Sequence, residues 1–292
     1  MAKKMAEIAI IGAGRLGTSL GRALTRKGHK IKALTCRSRA SARESRRIIG
    51  QGKVFSDNAS AANQGKIIFL CLPDEEIRKT AAGLARAKID WSEKFVFHTS
   101  GLLAADVLNP LKKKGALTAS FHPAQSFARK DTPSAHFKGI YFGLEGERKA
   151  LALAGKIAQQ LGGYPLILRS EAKPYYHAAC SLASNFLVIL LDVAVRLFKQ
   201  AGIEEKKAAK LLFPLIEGTL HNVKKFDIPD SLTGPVVRGD AASIKTHLDA
   251  LRRFPSYTEA YRKLGLLALQ TARKRGLPPK KIRALRNLLE GK

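Results

Sequence analysis

Acidic residues and sulfur are what this 292-residue sequence has least of. Aspartate and glutamate number 23 against 52 lysines and arginines, a formal charge of +29. An excess of that size rules out an acidic, anion-repelling surface and raises three possibilities: nucleic acid, an acidic membrane, or anionic small molecules. The basic residues run from Arg22, Arg26, Lys27, Arg43, Arg46 and Arg47 to Arg273, Lys274, Arg275, Lys280 and Lys281. No basic-aromatic module resembling an RNA-binding signature accompanies them. Solvated helix faces therefore account for the charge, and nucleic acid is not the expected partner. The three cysteines, Cys36, Cys71 and Cys180, form no C-x-x-C and lie far apart. That excludes a disulfide framework and a zinc site, so no metal is expected and a reducing cytoplasm fits. The uncharged stretch from Ala178 to Leu191 is closed by Asp192, short of the roughly 18 to 20 apolar residues of a membrane span. The opening MAKKMAEIAIIGAG has too short an apolar run for a signal peptide and reads as a first strand. A soluble, membrane-free protein is expected.

What is present is alternation. EIAIIG, HKIKALT, KIIFLCL, KFVFHTS, GALTASF, KGIYFGL and YPLILR are β-rich runs separated by helical patterns, as in a parallel, doubly wound sheet. After Ser170 the β-rich runs stop, and helical patterns are punctuated by Gly202, Pro214, Pro229, Pro235 and Pro278-Pro279. The fold class expected is α/β, with a Rossmann-type domain over residues 1–170 followed by an all-α domain over residues 171–292. The first helix of the second domain is expected to run from Pro174 to near Gly202 and to be bound for the interior.

IAIIGAGRLGTSLG places Gly12, Gly14 and Gly17 in a G-x-G-x-x-G between a strand and a helix, the context that a dinucleotide fingerprint requires. Gly12 permits the tight turn, Gly14 lets the backbone approach a pyrophosphate, and Gly17 allows close helix packing. The helix N-terminus, at Arg15 and Leu16, attracts the anion. Where an NAD-selective domain carries an acidic residue to hold the ribose 2′-hydroxyl, this chain reads LTCRSRAS. Arg37, Ser38 and Arg39 supply the donors that suit a 2′-phosphate, so NADP is the implied cofactor, the alternative being a solvated, merely permissive basic loop. KIIFLCLPDEEI resembles the fourth strand of such domains, with Leu72-Pro73 beside the nicotinamide ribose and Asp74 suited to capping the next helix.

The next two strand ends leave His98, Thr99, Ser100 and Gly101, then His122-Pro123, at the carboxyl edge where open α/β sheets bind ligands. Their hydroxyls and imidazoles suit orienting a substrate and passing a proton. In YYHAACSLASN, His177, Ser181, Ser184 and Asn185 fall within an arc of about 100° on a continuous helix. Such a stripe either lines a ligand site or joins helices through a buried polar network, since unpaired burial costs roughly 1 to 3 kcal/mol per group.

GAGRLG, LPDEEI, HTSG, FHPAQSF, YYHAACSLASN and LTGPVVRGD, in this order along nearly the whole chain, resemble a bacterial family of NADP-dependent oxidoreductases. Its members pair a Rossmann domain with a helical domain of unknown function, number 2520, similar to the helical domain of 6-phosphogluconate dehydrogenase. Ser100 followed by His122-Pro123 also resembles the prephenate dehydrogenase layout. That likeness implies that His122 is the general acid or base and Ser100 its partner. The β-hydroxyacid dehydrogenases carry a lysine four residues before an asparagine like Asn185; here Ser181 stands in that place, so their lysine mechanism is not implied. In the architecture resembled, the stripe faces the nicotinamide, which makes His177 and Asn185 catalytic candidates beside His122 and Ser100. Thr99, Ser181 and Arg238, the last a carboxylate clamp or a local ion pair with Asp240, become substrate candidates. The function implied is hydride transfer between NADP(H) and a small, anionic hydroxy, carbonyl or imine compound, by a homodimer. The competing reading keeps the fold but makes the protein a nucleotide-sensing or nucleic-acid-binding factor without turnover.

Overall fold

A computed structural model describes residues 6–292. The first part of the chain runs β1 (Glu7–Ile11), α1 (Arg15–Arg26), β2 (Lys30–Thr35), α2 (Arg39–Ile49), β3 (Lys53–Val54), α3 (Asn58–Asn63) and β4 (Ile67–Leu70). It continues with α4 (Asp74–Arg86), β5 (Phe95–His98), α5 (Asn109–Lys112), β6 (Leu117–Pro123), β7 (Tyr141–Gly146), α6 (Arg148–Gln160) and β8 (Tyr164–Ile167). The strands form one sheet in the order β3-β2-β1-β4-β5-β6-β7-β8. The order reverses direction at β1, the switch point of a doubly wound fold. Strands β1 to β6 are parallel, whereas β7 pairs antiparallel with β6 and parallel with β8.

That reversal departs from the expected parallel sheet. A parallel connection needs a crossover helix, and between Pro123 and Tyr141 the chain has only a single 3₁₀ turn, Ser134–Phe137, so it returns alongside its predecessor. The two-residue strand β3 was also not expected; Lys53 is exposed and only Val54 offers an apolar side chain.

The two faces of the sheet differ at its β4–β7 side. Phe69, Phe97, Phe121 and Phe142 stand in a row across four adjacent strands, with successive centroids 5.4, 6.2 and 4.9 Å apart, and pack into the core beneath α1 and α6. Alternation then puts His98, Ser120, His122, Gly143 and Glu145 on the opposite face. The register confirms it: His98 pairs with Ser120, Ser120 with Glu145, and His122 with Gly143.

The remaining helices are α7 (Lys173–Ala183), α8 (Asn185–Gln200), α9 (Glu205–Lys225), α10 (Ile228–Ser231), α11 (Pro235–Arg238), α12 (Ala241–Leu251), α13 (Pro255–Lys274) and α14 (Pro279–Glu290). The expected single helix from Pro174 to Gly202 is thus two helices, broken at Ser184 (φ −119°, ψ −67°). Ser184 and Asn185 are residue types that trade helical bonds for local ones, which favours a break there. The stripe is therefore not continuous past Ser184, and α7 and α8 are not buried within the chain. By length and composition the stretch Ser170–Gln200 is apolar enough for a membrane span, but the break interrupts it and Lys173 in its first turn is bonded to the sheet edge.

Compactness divides the chain at Asn185/Phe186 rather than at 170/171. The 3₁₀ turn Ser170–Ala172 and α7 belong with the sheet, because their side chains bond to β6 and β7. The second unit has its own core of Ile244, Leu269, Leu285 and Leu289.

Candidate active site

The glycine turn has the shape a dinucleotide needs. Gly12 has φ +87°, and a methyl group there would strike the Cys71 carbonyl and the Leu72 side chain. One at Gly17 would come within 2.5 Å of the Gly12 carbonyl oxygen. Gly14 differs: nothing lies within 4 Å of where its side chain would be, so the chain leaves open the space that a pyrophosphate would take. Gly14 caps α1 without a side-chain bond, and the Arg15, Leu16 and Gly17 N–H groups have no intrahelical partner. Gly12 and Ala13 N–H instead donate to the Thr35 carbonyl, at 3.1 and 2.8 Å, fixing the turn to β2.

Beyond β2, Arg37, Ser38 and Arg39 are exposed. Ser38 caps α2 by accepting from Ser41 N–H at 3.2 Å, which leaves its hydroxyl proton free. The nearest downstream carboxylate, Glu44, is paired with Lys130 at 2.7 Å. Leu72 and Pro73 lie in the turn after β4; Pro73 caps α4 and Asp74 makes no side-chain cap, sitting instead at the first helical position, where its charge favours the helix dipole.

At the carboxyl edge of β5 and β6 the candidate residues separate into two groups. His98 and Thr99 are structural. His98 is fully buried; its Nδ1 accepts from Ser100 N–H at 3.2 Å and its Nε2 donates to the Ala104 carbonyl at 3.1 Å. Burial first, then the Lys173 charge, push its pKa down to about 3, so it is a neutral strut and not a proton carrier. Thr99 bonds back to the Leu70 carbonyl through N–H and hydroxyl, which ties it to β4.

His122 is placed differently. Its Nδ1 lies 2.9 Å from Tyr176 Oη, and the ring of His177 stands edge-on at 6.2 Å. Burial, then the charges of Lys173 and His177, lower its pKa to about 4. Tyr176 closes over Gly143, where a methyl group would be 2.8 Å from the phenol oxygen. Gly101 is the second bare position: a methyl group there would meet His177 Cδ2 at 2.6 Å and His122 Nε2 at 2.9 Å. Burial, with Cys180 close by, raises the Tyr176 pKa, so the phenol keeps its proton.

Ser100 is not bonded to His122. Its Oγ accepts from Leu102 and Leu103 N–H at 3.1 and 2.9 Å, shaping the turn after β5. The partner of His122 is Tyr176, and behind the pair lies Lys173, fully buried. Lys173 Nζ donates to the Ser100 carbonyl at 3.0 Å and to Ser120 Oγ at 2.5 Å. Its pKa is lowered to about 8 by burial, against the attraction of Glu145 and Asp74. Glu145 accepts from Ala105 N–H at 2.5 Å and Ser170 Oγ at 2.7 Å. Sequence reasoning missed Lys173, Tyr176, Ser120 and Glu145. The signal was the helical spacing of Lys173, Tyr176 and His177, at i, i+3 and i+4.

Of the stripe, the structure brings His177 to His122 and Gly101. Ser181 is half-buried on α7, and Asn185 is exposed at the start of α8. Arg238 lies in the second unit on α11, exposed, its carbonyl accepting from Lys281 Nζ at 3.0 Å. Asp240 instead caps α12 through Ser243.

Comparison with known proteins matches residues 1–123 to a Rossmann-like domain and residues 140–268 to a domain of unknown function, DUF2520. No curated protein matches the chain. Among solved structures it is similar to a protein of Bacteroides fragilis proposed to be an NADP oxidoreductase, at 26% identity, TM-score 0.78, covering 91% of this chain and 98% of that one. A protein of Thermotoga maritima is 29% identical, with TM-score 0.68 and coverage of 92% and 99%. The prephenate dehydrogenase of Aquifex aeolicus shares the fold at 16% identity and TM-score 0.54, over 75% of this chain and 90% of that one.

Proposed function

We propose that this chain, which joins a Rossmann-like domain to the domain DUF2520, is an NADP-dependent oxidoreductase acting on a small anionic hydroxy, carbonyl or imine compound. The observation that carries the reading is the glycine turn, whose Gly12 and Gly17 are closed to any side chain while the space at Gly14 stands open. Gly12, Gly14, Arg15, Leu16 and Gly17 would hold the pyrophosphate, Arg37, Ser38 and Arg39 the 2′-phosphate, and Leu72 and Pro73 the nicotinamide side. Bound there, the cofactor supplies or accepts the hydride.

The protein's own part is proton transfer. His122 is neutral at pH 7, given a pKa of about 4. With Nδ1–H donated to Tyr176 Oη, His122 Nε2 presents a lone pair and takes a proton from a hydroxyl. With Tyr176 O–H donated to Nδ1, Nε2 carries a proton to give to a carbonyl or imine. The same pair therefore serves either direction. His177, beside Nε2 at Gly101, would orient the substrate, and the charge of +29 favours an anion. The layout of Ser100 followed by His122-Pro123, which resembles that of prephenate dehydrogenases, supports His122 in this role; Ser100 serves it through the turn that it shapes. A cytoplasmic setting, where NADP is available, goes with this function.

Fluorescence titration tests the cofactor: NADPH binds more tightly than NADH, and Arg37→Ala with Arg39→Ala narrows the gap. Equal affinities in the unaltered protein refute the assignment.

A further inference from the structure

Two hydrogen-bond acceptors hold one buried ammonium, and each lies within two residues of a position where the proton-transfer site meets. Lys173 is 0% exposed. Its first acceptor is the carbonyl of Ser100, the residue before Gly101, on which His122 and His177 converge. Its second is the hydroxyl of Ser120, two residues before His122 on the same face of β6. Its own backbone opens α7, and Tyr176 and His177 follow on the same helical face.

We propose that Lys173 is a positioning residue that pins the turn after β5, strand β6 and the first turn of α7 to one another, and so fixes the geometry in which His122, Tyr176 and His177 meet at Gly101. The inference deepens the proposed function, on which its catalytic meaning rests, but the geometry is testable without substrate or cofactor.

A buried ammonium with no acceptor is too costly to keep. Lys173 has one acceptor in the turn after β5 and one on β6, so the bonds that satisfy it also hold that turn and that strand to the helix. A surface lysine would not constrain them. The charge acts on the same group that it positions. His122 faces Lys173, His177 and Tyr176 from α7, and His98 from the end of β5; Lys173 in turn faces Glu145 from β7 and Asp74 from α4. Lys173 and His177 both favour neutral His122, while Glu145 and Asp74 help to keep Lys173 charged.

NMR titration of the full chain tests this. In the wild-type protein the Lys173 side chain is expected to titrate near pH 8, below the ordinary lysine range. In Lys173→Met the His122 ring titration moves up by about one pH unit and the Tyr176–His122 ring contact weakens, whereas Lys173→Arg restores the titration toward wild type. A folded Lys173→Met protein with the His122 midpoint and ring contact unchanged would refute a positioning role. Should Lys173→Met not fold, Ser120→Ala, which keeps the charge and removes one acceptor, still decides: the His122–Tyr176 contact is expected to loosen, and an unaltered contact overturns the proposal. Loss of NADPH binding in the unaltered protein would fail the proposed function and leave this result standing.

Discussion

Acid is expected to unfold this protein through two histidines, and the size of the effect follows from where they sit. His98 is fully buried with both ring nitrogens bonded, and His122 is held beside Tyr176, His177 and the Lys173 charge. Both folded pKa values, about 3 and about 4, lie below the unfolded value of roughly 6.5. A group depressed in this way gives stability that is fully present above pH 6.5 and is lost as pH falls toward its folded value, because the unfolded chain takes up the proton first. At about 1.36 kcal/mol per unit, either histidine costs on the order of 3 kcal/mol by pH 4, a large share of a typical domain's stability. Carboxylates lose their contributions at similar pH, so a variant must isolate the imidazole. His98→Gln cannot titrate and offers an acceptor and a donor of its own. Urea unfolding of both proteins at pH 7, 6, 5 and 4 reads the difference. The wild type is more stable at pH 7, and its advantage shrinks by about 3 kcal/mol by pH 4. Parallel stability curves for the two proteins would show that His98 does not resist protonation and would refute the reasoning.

Glycine substitutions separate folding from cofactor binding: Gly12→Ala, with its positive φ and the Cys71 carbonyl in the way, is expected to lose about 2 to 4 kcal/mol in thermal melts. Gly14→Ala meets nothing in the chain, so it melts like wild type while NADPH affinity falls at least about tenfold, or 1.4 kcal/mol; wild-type affinity would mean that no ligand approaches there. Val188 and Ile189, exposed by 64 and 57% on α8, are large apolar side chains left uncovered, the kind of surface that marks an interaction site. We propose that a second copy covers them: sedimentation gives a dimer mass, Ile189→Asp gives a monomer, and a monomeric wild type at micromolar concentration refutes it.

The glycine turn was legible because a phosphate-binding turn demands glycines at fixed offsets, and those offsets survive in the sequence whatever surrounds them. The strands were legible from β-branched and aromatic runs, apart from β3, which has only Lys53 and Val54. The antiparallel direction of β7 leaves no mark in that composition, although Pro123, Pro133 and the want of a helical pattern between them stand against a crossover. The break at Ser184 was hidden because the pattern is helical on both sides of it, in YYHAACSLA before and FLVILLDVAVRLF after, and one residue's torsion leaves little trace in a pattern.

Lys173 was illegible for a different reason. A lysine after Glu171-Ala172 and before Pro174 reads as a solvated residue at a helix start; its helical spacing to Tyr176 and His177 marks a shared face but not that the face is covered. Only the pairing of β6 with β7 does that, because it sets Ser120 beside Glu145 and His122 beside Gly143. Those two pairs put a hydroxyl, a carboxylate, an imidazole and a bare backbone on one face, opposite the row of phenylalanines. The polar face needs a cover that can bond to it, and the first turn of α7 supplies an ammonium for Ser120 and a phenol for His122. His122 is thereby held in a place where its neutral form is favoured but its Nδ1 has a partner able to give or accept a hydrogen bond. A histidine free in solvent would be partly protonated near neutrality, whereas this one is neutral, and whether Nε2 accepts or gives a proton depends on which ring nitrogen carries the hydrogen. The property that suits the site to proton transfer therefore resides in the contact between helix and sheet, which no single stretch of the sequence contains.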